Sequence, residues 1–230
     1  MRKAGKKLND VGAALVTVIV VIAFISVMVT VLLYSSSVNF YMKTTDMKIK
    51  GSFYDAETTL EEIRAALVKR ASEAYEAAWR ETQENYASGG SPSAREDTFK
   101  RAFAEAFEDS WKSDVTAYGG NTLNYVKTMV DTGHAGDLIL VQVPGVGDVE
   151  PKLEVNKGEG QVILKNLKVS HVSGDYVSII ETDFIIKAPE LSWDVTASAT
   201  AWTPGDTAAA LDRKEIDMVN TVNYLNWTKK

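Results

Sequence analysis

Cysteine is absent from all 230 residues. Disulfides, thiolate metal sites and cysteine nucleophiles are therefore excluded, and the fold must be held by packing alone. Proline occurs five times and never before Pro92, and Gly51 is the only glycine between Gly12 and Gly89. Proline is thus withheld from the first third of the chain and glycine is sparse there, and these are the two strongest interrupters of a helix. Histidine occurs twice, as His134 and His171, which leaves little material for acid–base chemistry. Charge is missing from Val11 to Met42, a run of 32 residues. The chain as a whole is short of positive charge, at −6 net; residues 1–10, with four basic and one acidic residue, contribute +3 and leave −9 on the remainder. An acidic remainder argues against nucleic acid, whose phosphates require clustered lysine and arginine, and no nucleic-acid partner is expected. It argues equally against electrostatic docking to anionic lipid.

What is present begins with the apolar core of that uncharged run, Ala13 to Tyr34, 22 residues long. As a helix it covers about 33 Å, enough for the hydrocarbon core of a bilayer. Only a helix satisfies its own backbone in lipid, so the run predicts one transmembrane helix at 13–34 and the lipid bilayer as a partner. Arg2, Lys3, Lys6 and Lys7 precede it. The positive-inside bias then predicts a single-pass protein of the cell membrane, with a cytoplasmic N-terminus and an extracellular C-terminal domain. A cleaved secretory signal is the rival reading. Its apolar region would be about 7–15 residues followed by a small-x-small site, whereas this run is longer and Ser35-Ser36-Ser37 offers only a loose one.

The border of the span is more specific than its length. A basic leader, residues 1–12, ends in Gly12, and Ala13-Ala14-Leu15-Val16 opens the apolar helix at once. This junction resembles the class III leader of type IV pilin-like proteins, and its wording is similar to that of PilX-type minor pilins and the related pseudopilins. The resemblance covers about the first 70 residues. It implies cleavage between Gly12 and Ala13 by a prepilin peptidase on the cytoplasmic side, methylation of the new N-terminus, and assembly with other pilin-like subunits into a type IV pilus or related filament. A glycine suits such a cut, because a residue without Cβ lets the backbone enter a tight cleft in extended form. Thr17 departs from the pattern: major pilins carry glutamate at that position of the filament helix. The departure counts against an abundant structural subunit and leaves a minor, tip or initiating role.

Past the span, Ile49, Phe53, Ala56, Leu60, Ile63, Leu67, Ala71, Ala74 and Ala78 recur at threes and fours, the period of an amphipathic helix. The helix is therefore expected to continue over 35–86, with a bend near Ser35–Ser37 or Gly51. Phe53-Tyr54-Asp55-Ala56-Glu57 again resembles the PilX-type pattern of an aromatic before an Ala-Glu pair. Tyr86 to Pro92 reads as a break rich in turn residues, and Ser93-Ala94-Arg95-Glu96 as a capping box. Phe99, Phe103, Phe107 and Trp111 then form a four-residue-spaced stripe, expected to be core against Leu60–Ala78, and Gly119-Gly120 ends that helix. A short helical piece is expected within Asn121–Val130, inside a helical segment spanning 87–135.

From 136 to 230 the pattern becomes β. Strands are expected at 138–143, 152–156, 161–172, 176–188 and 191–202, separated by turns at Gly145–Gly147, Gly158–Gly160, Ser173–Asp175 and Pro204–Asp206, with Ile216–Trp227 as a last strand. The spacing suits an antiparallel meander. Helices first and antiparallel sheet afterwards predict an α+β fold, which is also the order in pilins.

Chemistry has few candidates. Asp131, His134 and Asp137 hold metal-compatible ligands within seven residues, but Gly133 and Gly136 between them favour a loop over a preformed cage. Gly145-Val146-Gly147 lacks the strand–turn–helix context of a phosphate loop, and no Gly-x-Ser-x-Gly elbow occurs. No cofactor and no catalytic activity are expected. The readings left open are a structural minor pilin or pseudopilin, and a signal-anchored surface protein whose external β domain binds a ligand or protein partner.

Overall fold

A computed structural model describes residues 4–86, 92–190 and 218–229. The chain divides into two compact units, Met1–Lys50 and Gly51–Lys230. The class is α+β, as the order of patterns predicts. Helix α1 runs over Ala4–Tyr86, 83 residues, and is continuous as a helix at both positions where a bend is expected, Ser35–Ser37 and Gly51.

In the first unit, the side chains from Gly12 to Ser37 are all exposed, including every large apolar residue from Leu15 to Tyr34. The stretch is long and apolar enough to cross a membrane. Two of its hydroxyls are satisfied within the helix itself. Ser26 Oγ donates to Ile22 O at 2.8 Å and Thr30 Oγ1 to Ser26 O at 2.8 Å. Such back-bonding is how a hydroxyl is tolerated in an apolar helix.

In the second unit, the outer part of α1 buries one stripe. Ala56, Leu60, Ile63, Leu67, Ala71, Ala74 and Ala78 are buried, with Ser52, Thr59 and Thr82 beside them. Phe53 is only partly buried, and Ile49, at the head of the expected stripe, is exposed. Helix α2, Pro92–Ala117, opens on proline one residue before the expected cap, since an N–H unpaired in the first turn costs nothing to omit. Phe99, Phe103, Phe107 and Trp111 are all in the core, joined by Ala102 and by Ala104, which the four-residue spacing did not mark. Gly119 and Gly120 both adopt left-handed φ, and Gly120 N donates to Val115 O at 2.9 Å, closing α2. Helix α3, Thr122–Lys127, is capped by the Asn121 side chain, which accepts from Asn124 N.

All strand pairings are antiparallel. The strands are β1 (Leu138–Ile139), β2 (Val141–Val143), β3 (Gly147–Val149), β4 (Lys152–Asn156), β5 (Gln161–Ser173), β6 (Tyr176–Lys187) and β7 (Val222–Lys229). Among the described residues β5, β6 and β7 pair in that order. β1 and β4 both line the other edge of β5, β1 opposite Lys168–Val169 and β4 opposite Gln161–Lys165. The expected strand at 138–143 is therefore split at Leu140. β4 takes over the edge of β5 there, and β2 leaves to form a separate hairpin with β3. β3 starts at Gly147, within the expected turn, and its Gly-Asp-Val is too short and polar to show strand periodicity. The expected last strand is found as β7, which begins six residues later than expected and ends two residues later, with a short 3-10 turn at Met218–Thr221 before it. The expected strand at 191–202 and the turn at Pro204–Asp206 lie outside the described residues, as do residues 87–91 of the expected break.

Alternate residues of β6, namely Ser178, Ile180, Thr182, Phe184 and Ile186, face the helices together with Val162, Leu164, Leu167 and Val169 of β5. Both neighbours of β6 carry a bulge at one level. The register steps between Leu164 and Leu167 on β5 and between Leu225 and Thr228 on β7, each with one extra residue opposite Thr182–Asp183. Asn166 and Asn226 occupy these bulges with φ of 63° and 58°. Asp183 holds both, accepting from Asn166 N at 2.9 Å and from Asn226 Nδ2 at 3.0 Å. The turn between β4 and β5 is pressed against α2 at Gly160, where a Cβ would stand 2.8 Å from Lys100 Cβ and 2.9 Å from Ala188 Cβ.

Candidate functional site

The junction singled out in the sequence lies on α1. Gly12 and Ala13 are exposed and helical, with nothing within 4 Å of a Cβ built at Gly12. Thr17, also exposed, donates from Oγ1 to Ala13 O at 2.9 Å, one turn back along the helix. A glycine in a helix interior is less stable than alanine by about 1 kcal/mol, which lowers the cost of opening this turn. Thr17 is committed to the backbone of its own helix and presents no charge.

The residues with metal-compatible chemistry do not converge as their spacing suggests. His134 Nδ1 donates to Glu62 Oε1 at 3.0 Å, and Glu62 Oε2 accepts from Asp131 N at 3.0 Å. Asp137 turns the other way, to His171 Nδ1 at 2.9 Å, while His171 Nε2 lies 3.3 Å from Asp55 Oδ2. Among the described residues no three such side chains are grouped to hold a metal ion. The sequence signal that was missed is on α1: Asp55 and Glu62 are seven residues apart, two turns of one face, and each meets a histidine from a distant element. The hydrogen bond to Glu62 raises the pKa of His134 above its ordinary value. Both nitrogens of His171 thus face carboxylates. Ser52 Oγ donates to the backbone oxygen of His171 at 3.0 Å instead of to its ring, so no serine–histidine pair is made. The arrangement is a staple joining α1, the 131–137 loop and β5.

A second polar group ties α1 to α2 and α3. Arg70 donates to Ser110 Oγ at 2.6 Å and to both Asp114 and the Tyr125 hydroxyl, and Tyr125 Oη also reaches Asp114 Oδ2 at 3.1 Å. The arginine holds the Asp114 carboxyl below its ordinary pKa, and burial pushes the Tyr125 hydroxyl up. On the far side of α1, Tyr224 Oη donates to Glu61 Oε1 at 2.6 Å, Arg64 Nε to Val222 O at 3.1 Å, and the Lys229 ammonium sits 3.9 Å above the Phe53 ring. Each of these polar groups is satisfied by another element of the fold, which is the chemistry of fastening. Compared with known proteins, the chain matches no family model, no curated protein and no solved structure.

Proposed function

We propose that this chain is a minor pilin-like or pseudopilin-like subunit, held in the membrane by α1 and assembled with other pilin-like subunits into a type IV pilus or related filament. The observation that carries the reading is α1 itself. A basic leader ends at Gly12, an uncharged helix follows with every large apolar side chain exposed, and the same helix later supplies one buried stripe to an α+β unit. An apolar surface of that size must be covered by lipid or by other helices, and a filament subunit uses both in turn. Thr17, uncharged and bonded within its own turn, suits a minor position over an abundant one. In this reading the N-terminus is cytoplasmic, the C-terminal unit extracellular, and a prepilin peptidase cuts between Gly12 and Ala13.

The test is the N-terminal residue and intact mass of the native membrane protein, in a host with and without its prepilin peptidase. A chain that begins at methylated Ala13 only when the peptidase is present is the expected result. Gly12→Asp should abolish processing, because a charged, branched side chain does not fit a site shaped for glycine. A chain that keeps residues 1–12 in both hosts overturns the filament reading in favour of a signal-anchored surface protein whose β domain binds a ligand or protein partner.

A further inference from the structure

The uncharged part of α1 does not stop at Tyr34. It continues as helix through Ser35–Met42, and the next charge is Lys43. Within this extension Phe40 and Tyr41 are 74% and 71% exposed, more than most residues of the apolar run before them. Neighbours on a helix point about 100° apart, so the two rings spread around the axis at one level. A seam against a single protein partner would instead take residues three and four apart on one face. Rings spread at one level suit a layer that surrounds the helix.

The axial position agrees. From Ala13 to Phe40 the helix rises about 40 Å, and an ordinary tilt of about 20–30° reduces this to about 35–38 Å across the membrane. With Ala13 at one edge of a hydrocarbon core of about 30 Å, Phe40 falls in the headgroup layer beyond the other edge. Ser35–Ser37 come at the boundary just below, where hydroxyls meet the first ester groups. Lys43 and Lys48, both exposed, follow where water begins. Aromatic residues, and tyrosine with its wet hydroxyl and apolar ring in particular, are the side chains that settle in this layer.

We infer that Phe40 and Tyr41 form an interfacial belt seated in the phospholipid headgroups of the leaflet farther from the N-terminus, so that the lipid-embedded helix ends at Met42, eight residues beyond the apolar core. The inference rests on the membrane reading of α1 proposed above, and its test separates the two.

Because the chain has no cysteine, single cysteines at Val27, Asn39 and Thr58 can each be spin-labelled in the full-length protein, reconstituted in phosphatidylcholine vesicles. Collision rates with oxygen and with a water-soluble nickel chelate then report depth. The expected label at 27 is deep in lipid, that at 58 in water, and that at 39 in the headgroup layer, within about 7 Å of the hydrocarbon edge. Replacing both Phe40 and Tyr41 by alanine should move the label at 39 to the nickel accessibility of 58, while 27 stays deep. A label at 39 as accessible to nickel as at 58 in the unaltered belt, with 27 still deep, overturns the belt and leaves the span standing. Accessibility to nickel at both 27 and 39 overturns the span as well. Exclusion of both reagents at 39 also overturns the belt, showing cover by protein copies.

Discussion

Two stretches of α1, residues 13–34 and 56–78, are made of overlapping residue types and meet opposite fates. Leu32 in the first is 66% exposed, and Leu67 in the second is completely buried. The difference is not apolar content but its arrangement. In the first stretch valine, isoleucine, leucine and phenylalanine surround the axis, so no rotation of the helix would hide them against one protein surface. In the second they occupy one stripe, which ends in alanine at Ala71, Ala74 and Ala78, and Lys69 and Glu76 hold the solvent side. An apolar ring calls for a surrounding medium; an apolar stripe calls for a partner on one side. The polar residues divide the same way. Hydroxyls of Thr17, Ser26 and Thr30 in the first stretch bond their own helix, while polar side chains of the second reach other elements through Glu61, Glu62, Arg64 and Arg70.

This contrast can be broken by substitution, with unfolding of the Gly51–Lys230 unit in the full-length protein as the common readout. The largest effect is expected at Phe103, which is fully buried: Phe103→Ala should cost about 3–5 kcal/mol in denaturant unfolding, whereas Leu32→Ala in the span should leave that transition unmoved. An equal loss at both would show that the two stretches share one core. Next is Gly160→Ala, which adds a Cβ at a left-handed φ and against Lys100 and Ala188, for an expected loss of about 1–3 kcal/mol by thermal melting. Asp183→Ala removes the acceptor of two hydrogen bonds and should cost about 1–2 kcal/mol, with enhanced amide exchange at Asn166. The smallest is a pH effect at His134. Its pKa is raised in the folded state by Glu62, so its contribution is complete below the ordinary value of about 6.5 and fades as pH rises through the raised value. Glu62→Gln should flatten that fall in stability on the alkaline side; an unchanged pH profile would detach the staple from stability.

Much of this was legible beforehand, for a physical reason in each case. The stripe from Ala56 to Ala78 and the aromatics of α2 could be read because the helical period repeats over several turns. β5 and β6 could be read because long strands alternate. The failures lie where pairing decides. Nothing in LILVQV marks Leu140 as the point where β4 displaces the chain from the edge of β5, since that depends on a strand twelve residues later. The histidines illustrate the same limit. Proximity in sequence grouped Asp131, His134 and Asp137, but the partners that matter, Glu62 and Asp55, come from a helix some 70 to 120 residues earlier. The junction at Gly12 is legible only as wording, since its chemistry belongs to the enzyme that would cut it.

The paired bulges around Asp183 carry a consequence for assembly of the sheet. Each bulge reverses which residues face inward: Leu164 is followed by Leu167 on β5, and Tyr224 by Trp227 on β7. A one-residue slip of either strand would leave its asparagine out of reach of the carboxylate and turn the residues on one side of the bulge outward. The carboxylate therefore acts as a vernier, at which two scales of different phase can coincide in one position only. Because β7 also carries Val222, Tyr224 and Lys229 to their places on α1, setting that mark fixes the helix against the last strand in the same stroke.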